Sequence, residues 1–299
     1  MSLEVPMQSI SNTFATREPV LYALPGQTVQ VSTLDSRGRD KEMREIGTKP
    51  NPLCGPIYLR GTVPGDTLVV HIDVVTPNRV EGYSYDAVSE QVVDPAFVRN
   101  IPKRKLVHWE IDIAHGQATQ SRQGDRTGLQ VALEPMLGCL GVAPPEHQAI
   151  SSATSGRHGG NMDYSGFVGG VTAYLPVFAP GGLLYLGDGH AAQGDGEIVG
   201  MGIEISMDVT LRIDLIENGS AMWPRGENEE HLFAIGNARP LSQALQHATT
   251  EMLRWLTIDY GLSMRTACTL LGQAAQYDIG NVFDPAYTVA CKLSKALLP

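Results

Sequence analysis

From Ile203 to Ile213 every second residue is apolar: Ile203, Ile205, Met207, Val209, Leu211 and Ile213. A period of two sustained this long puts all six side chains on one face of an extended backbone, so the segment is a strand with one face in a core. A shorter alternation precedes it, with Val29, Val31 and Thr33 on one face and Gln30, Ser32 and Leu34 on the other. Further apolar runs of strand length lie at 57–63, 68–75, 106–113, 129–133, 168–178 and 182–187, and the long alternation itself falls within a predicted strand at 198–216. The 32 glycines and 19 prolines supply the turns that so many short strands need. Pro64-Gly65-Asp66 reads as the turn of a hairpin joining 57–63 to 68–75. Residues 38–50 are polar and read as a loop, 76–104 as irregular, and 135–163 as a long turn-rich segment of the kind that often carries function.

Helical periodicity is confined to the last third. Leu245, Ala248, Met252, Trp255 and Leu256 recur at helical spacing within 241–259, with Gly261 as a stop. Ser263 is placed to cap a second helix over 264–276, and Phe283–Leu298 is a weaker third candidate. Strands first and helices late predict an α+β, β-rich fold. The chain is read as a single unit, 1–299, with a β-rich part over 1–150 and a part over 151–299 that carries the site and the helices.

Composition removes several classes of function. A formal charge of −10 with no Lys/Arg stripe argues against nucleic acid. A hydrophobic content of 42% argues against disorder. Residues 166–187 carry no charge and are long enough to span a bilayer, but six glycines and two prolines, Pro176 and Pro180, interrupt them. They read as a buried hairpin turning at Gly181-Gly182, so no membrane partner is expected. The first residues lack a basic stretch followed by an apolar run and are read as no signal peptide. Cys54, Cys139, Cys268 and Cys291 share no metal or redox spacing and read as buried, reduced thiols of a cytoplasmic protein.

Two short segments carry chemistry. One is His158-Gly159-Gly160-Asn161-Met162-Asp163. The other runs from Gly187 to Glu197, GDGHAAQGDGE, and places Asp188, His190, Gln193, Asp195 and Glu197 among four glycines. Asp188 and His190 are two apart, as are Asp195 and Glu197, so each pair points one way from extended backbone. Glycine lets the pairs converge. An imidazole among carboxylates suits Zn²⁺ first, with Ca²⁺ possible for an oxygen-only subset. The plain alternative is that each Asp-Gly is a tight turn. Asp35, by itself, is a turn residue ending a strand. Ser151, Ser152 and Ser155 lack the elbow and the strand-turn-helix context of a serine nucleophile.

At these segments the chain resembles the acetamidase/formamidase family. The likeness extends to PNPLCGPIYLRGTVPGDTLVVHIDVV (Pro50–Val75), to LPVFAPGGLLYLGDGHAAQGDGEIVGMGIE (Leu175–Glu204), and to the later EMLRWLTIDYGLSMRTACTLL and YDIGNVFDP. The segment from Arg79 to Glu134 diverges, and Gly272 stands where the pattern has Ser. The resemblance implies two packed β-sheets, sandwich-like and flanked by helices in four layers, α/β/β/α. It also implies a cytosolic homodimer, bound zinc or calcium, and hydrolysis of formamide or acetamide, small neutral amides, to a carboxylate and ammonia. Carried onto this chain, it implies a metal shell of Asp35, Asp188 and His190, with His158 and Asp163 next. Glu197 is then the general base and proton shuttle, Asp195 a further catalytic candidate, and Asn161 a donor to the oxyanion. Gly159, Gly160, Gly189 and Gln193 would let substrate come close. Two alternatives stand beside this reading: a lactam or other cyclic amide as substrate, and a metal-stabilised binding module without catalysis.

Overall fold

A computed structural model of the chain describes residues 2–6, 10–121 and 128–299. Two large sheets face each other. The nine-stranded sheet runs in the order Leu3–Glu4, Gln27–Ser32, Met207–Ile216, Thr67–Pro77, Val171–Pro176, Arg225–Glu227, His231–Ala238, Tyr287–Ser294 and Gln276–Ile279. The other, seven-stranded, runs Ser155–Gly156, Gly159–Asn161, Met136–Gly141, Leu184–His190, Leu53–Leu59 and Ile10–Ser11, with Leu21–Ala23 also on Leu53–Leu59. A four-stranded sheet, Gln130–Ala132, Gln117–Gln120, Leu106–Asp112 and Glu81–Tyr85, covers one end. Both large sheets draw strands from either half of the chain, so 1–150 and 151–299 interleave rather than stand apart.

The alternating residues form the core as their period requires. Val209, Leu211 and Ile213 lie opposite Val31, Val29 and Gln27 on one neighbour, and on the other Val209 faces Val75, Leu211 faces Ile72 and Ile213 faces Val70. Across the sandwich they meet Ile57, Leu137, Leu140, Leu184 and Leu186. Each of these fully buried side chains contributes about 1.5–3 kcal/mol. The alternation begins before the strand does. Ala191 N donates to Ile203 O at 2.7 Å, Ile205 N to Gly189 O at 3.0 Å, and Glu204 bridges both His190 and Tyr83. Ile203 and Ile205 join the core, and the intervening Glu204 is brought beside His190.

Both helices, α1 (Leu241–Ile258) and α2 (Met264–Ala274), pack on the outer face of the nine-stranded sheet. Ala244, Ala248, Met252 and Trp255 of α1 meet Leu232, Ala234, Val289 and Cys291. Leu245, expected on this stripe, is exposed. A Cβ at Gly236 would lie 2.0 Å from Ala244 O, so only glycine lets α1 sit this close. Ser263 caps α2, its side chain accepting from Thr266 N.

Several expectations change. Residues 57–63 and 68–75 are not a hairpin: Leu53–Leu59 and Thr67–Pro77 lie in opposite sheets. The 166–187 stretch crosses the core in the same way, from Val171–Pro176 to Leu184–His190. Asp66 accounts for the first crossing, since its carboxylate accepts from Val63 N at 2.9 Å and from Asn218 N at 3.0 Å, holding the loop against the other end of the sandwich. Phe283–Leu298 is mainly a strand, Tyr287–Ser294, whose apolar residues serve the core on one face and α1 on the other. The 135–163 segment holds the Met136–Gly141 strand, buried on both faces and therefore without alternation. The helical fourth layer is not found among the described residues. There the outer face of the seven-stranded sheet carries a small cluster around Phe14, Leu53 and Tyr185. Cys268 is exposed and the other three cysteines are buried. Among the described residues no helix is long and apolar enough to cross a membrane.

One buried ion pair links the layers. Arg225 Nε donates to Glu251 Oε1 of α1 at 2.6 Å, with both side chains at most 3% exposed. Glu251→Ala removes one of the two carboxylates on this guanidinium, with Asp259 Oδ2 still on Nη1 at 2.7 Å. The expected loss of unfolding free energy in urea titration is about 1–3 kcal/mol, against at most about 0.5 kcal/mol for the exposed Glu18→Ala.

Candidate active site

The Leu184–His190 strand ends in a cluster of buried acids around one imidazole. Asp188 and His190 come from the strand itself, Glu197 from the short 3-10 turn Asp195–Glu197, and Glu204 from the bridge to Tyr83. Asp163 follows the Gly159–Asn161 strand, and Asp284 comes from the loop before Tyr287–Ser294. Asn51, Asn161, Asp188, Glu197, Glu204 and Asp284 line a cleft of about 250 Å³. Among the described residues nine non-glycine residues have positive φ, and Asn51, Asp163, Asp188 and Glu197 are four of them. Such backbone costs of order 1–3 kcal/mol per residue and collects at functional sites. Glycine makes the remaining room. A Cβ at Gly138 would lie 2.5 Å from Asp163 Oδ1, and one at Gly202 would lie 2.5 Å from His190 Cγ.

The hydrogen bonds assign the proton on His190. Gln193 Nε2 donates to the carbonyls of Asp163, at 2.6 Å, and Gly280, at 3.2 Å. Its amide oxygen is therefore the group that meets His190 Nδ1 at 2.7 Å, and Nδ1 carries the hydrogen. In the neutral ring Nε2 then presents a lone pair to Glu204 Oε1 at 3.2 Å and to Asp188 Oδ1 at 3.6 Å. In that form of the ring, acceptors face an acceptor. Asp163 Oδ1, Asp188 Oδ1, Glu197 Oε2, Glu204 Oε2 and His190 Nε2 are buried without a hydrogen-bond partner. Ligand atoms converge in two overlapping sets, Asp188–His190–Glu204 and Asp163–His190–Glu197. Orphaned oxygens around an oriented imidazole fit a divalent cation, with Gln193 in the place of the partner that fixes a ligating histidine.

Burial pushes the acids up. Desolvation, then the charges of Glu197, Asp284 and Asp188, hold Asp163 well above the usual carboxyl range. Desolvation, then Asp284, does the same to Glu197. Burial raises Glu204 to about 6 against the opposing pull of His190. Asp284 is likewise raised to about 6 by burial, although it shares a hydrogen bond with Asp163 and accepts one from Asn161. For His190 burial acts downward, but Glu204 and Asp188 override it and the ring is raised well above its ordinary value.

Not every expected residue arrives. Asp188, His190, Asp163 and Glu197 converge. Asp35 does not join them: its Oδ1 accepts from Arg37 N and Arg39 N, and its Oδ2 takes Arg79 Nη2 at 2.7 Å in a fully buried pair. Its carboxylate closes a loop. His158 packs edge-on against Phe14, ring centroids 5.1 Å apart, and burial pushes it down to about 4. Asp195 is exposed, and the charges that bear on it are Asp278 and Lys292. Gly159, Gly160 and Gly189 are required by packing, since a Cβ on each would meet Leu140 O, Thr154 O or Met207 Cγ within 2.5 Å. Gln193 orients His190 from behind. Asn161 lines the cleft, with Nδ2 donating to Asp284 Oδ2 at 2.5 Å and Oδ1 accepting from Asn51 Nδ2 at 2.9 Å. Asn51, Glu204 and Asp284 went unassigned in the sequence, as did Cys139, whose thiol donates to Asn161 Oδ1 at 2.8 Å. The signal was there in part: the first three sit within PNPLCGP, GMGIE and YDIGNVFDP.

Fold and cleft together define a β-sandwich protein with an acid-rich histidine site at a strand end. The acetamidase/formamidase family matches residues 18–153 and 146–275, and the chain belongs to that family. It is 28% identical over 255 residues, 67% of this chain and 62% of that protein, to the acetamidase of Mycolicibacterium smegmatis. The chain spans a little under two thirds of the length of the curated relatives it matches first, between 61% and 65%. Among solved structures it resembles the acetamidase of Yersinia enterocolitica, with a TM-score of 0.84, 32% identity and coverage of 100% of this chain and 93% of that one. It also resembles the acetamidase of Bacillus halodurans, with a TM-score of 0.81, 27% identity and coverage of 98% and 97%.

Two stability outcomes follow. Asp35→Ala leaves Arg79 buried and unpaired and is expected to cost about 3–5 kcal/mol in urea titration. In chelator, Asp163, Glu197, Glu204 and Asp284 keep their protons in the fold at pH values where the unfolded chain has lost them. Their contribution is present below the ordinary carboxyl range and is lost as pH rises through about 6 and above. The raised His190 acts with the same sign. The urea midpoint of metal-stripped protein should fall from pH 5 to pH 8, and Glu197→Gln should flatten that fall; a midpoint that climbs over this range contradicts the assignment.

Proposed function

We propose that this chain hydrolyses short aliphatic amides, formamide or acetamide, to the carboxylate and ammonia in the acid-rich cleft. A divalent cation, Zn²⁺ before Ca²⁺, would be held by Asp188, His190 and Glu204, with Asp163 within reach of the same imidazole. The observation that carries this reading is the convergence of His190 Nε2 with the buried carboxylates of Asp188, Glu204, Asp163 and Glu197, each of which has an oxygen without a partner. Family membership supports the amide, and the cleft supports a small one. At about 250 Å³ it is below the roughly 300–1,000 Å³ of ordinary ligand pockets. When bound, such a cation would supply a water acidic enough to deprotonate near neutral pH and would polarise a carbonyl oxygen.

The protein's own groups do the rest. Glu197 has one oxygen without a partner at the cleft. It takes a proton from the attacking water and returns it to the departing nitrogen, so that one carboxyl serves both steps. Water oxygen bonds to the carbonyl carbon, the C–N bond breaks, and nitrogen leaves as ammonia. Asn161 spends one N–H on Asp284 and has a second to offer the carbonyl oxygen as charge develops there. Asp284 and Asn51 hold the two ends of that amide in place.

Ammonia release is the test, measured on formamide, acetamide, longer amides and lactams. Release should be fastest from the short linear amides, disappear on chelation and return with Zn²⁺. Glu197→Gln should lower kcat by about 10²- to 10⁴-fold with little change in KM. Release from none of these substrates overturns the reading, as does full activity in Glu197→Gln.

A further inference from the structure

A second cavity, about 440 Å³ and open to solvent at Ala132 and Glu134, adjoins the acid-rich cleft of about 250 Å³. Its lining is mainly apolar, with Trp109, Val131, Val199 and Ile203, and carries one carboxylate, Glu134. The one polar atom of the Trp109 side chain is already used, its Nε1 donating to Ser84 Oγ at 2.9 Å. Gln193 and Gly202 also line this chamber. Gln193 bonds His190, and Gly202 lies against the His190 ring, so the chamber backs onto the imidazole. Tyr85 and Met201 border both cavities. These two side chains stand where the polar cleft and the mainly apolar cavity adjoin.

The two halves of that boundary differ. Tyr85 ends the Glu81–Tyr85 strand and lies under the Arg104 guanidinium, 4.8 Å from its ring centroid; the same guanidinium stacks on Phe283 at 5.0 Å. Met201 stands between Gly200 and Gly202 on the stretch joining Glu197 to Glu204. Its unbranched thioether is the adaptable half.

We propose that Met201, seated against Tyr85, is the residue that sets the upper size of the acyl group. Its side chain closes the catalytic cleft to anything longer than a small alkyl, and the apolar chamber beyond would receive a phenyl or longer alkyl substituent once Met201 is shortened. This rests on the amidase reading above. A pocket gains about 10- to 200-fold in discrimination from a single methylene of fit, and the group admitted here is larger than that.

The experiment compares wild type, Met201→Ala, the milder Met201→Val, and Met201→Ala with Ala132→Trp, which places an indole at a residue lining the second cavity. Two readings are taken: kcat/KM for phenylacetamide relative to acetamide, and calorimetric affinity for phenylacetate relative to acetate. Met201→Ala should raise both ratios at least about tenfold, Met201→Val should fall between, and the indole introduced by Ala132→Trp should cancel the gain. Ratios unmoved in both shortened variants overturn the proposal while leaving amide hydrolysis intact. A wild type that hydrolyses no amide overturns the amidase reading instead, and the phenylacetate affinities then decide the role of Met201 by themselves. If Met201→Ala fails to fold, Met201→Val decides the proposal on a smaller shift.

Discussion

The hydrogen bond between Gln193 and His190 is the interaction on which the site depends. Gln193 has both ends fixed, its amide nitrogen by two backbone carbonyls and its oxygen by the ring. It therefore places a hydrogen on Nδ1 and leaves Nε2 as the nitrogen that faces the acids. In the neutral ring Nε2 is bare, and the neighbouring carboxylates are then no partners for it. Either the ring is doubly protonated among the acids, or a cation lies among them. A structure built for stability alone would gain little from this. Buried acids raised by one another, on backbone with positive φ, weaken a fold, and they are kept where a charge is meant to be neutralised.

The sandwich tolerates that cost because its core is separate from the site. Val209, Leu211 and Ile213 and their partners across the layers are almost fully buried apolar residues. The acids come from strand ends, bridges and loops that enter beside them. Glu204 shows the coupling best. Ile203 and Ile205 are anchored in the core, the period of two turns the residue between them the other way, and that residue meets His190.

The fold was legible where a period was strong. The alternation at 203–213, the α1 stripe and the Ser263 cap each state a local geometry. What the sequence could not show was which sheet a strand joins: Leu53–Leu59 and Thr67–Pro77 follow one another like a hairpin yet face each other across the core. Phe283–Leu298 misled because a strand covered on both faces has no alternation to distinguish it from a helix. Of the site, the carboxylates and imidazole of the GDGH segment and Glu197 were readable as a cluster because they are adjacent in the chain. Asp35 looked the same in sequence, but Arg79, 44 residues further on, takes its carboxylate. Glu204, Asn51 and Asp284 were hidden because nothing local says that three distant segments meet at one histidine.

The central claim is that Asp188, His190 and Glu204 hold a divalent cation while Asp35 does not. Calorimetric titration of Zn²⁺ into chelator-treated protein tests it most directly. Gln193→Ala should weaken binding about 10- to 100-fold, Asp188→Asn and Glu204→Gln should weaken it further, and Asp35→Asn should leave the affinity of the folded protein unchanged. Zn²⁺ binding that survives Asp188→Asn and Glu204→Gln but is lost in Asp35→Asn would contradict the account.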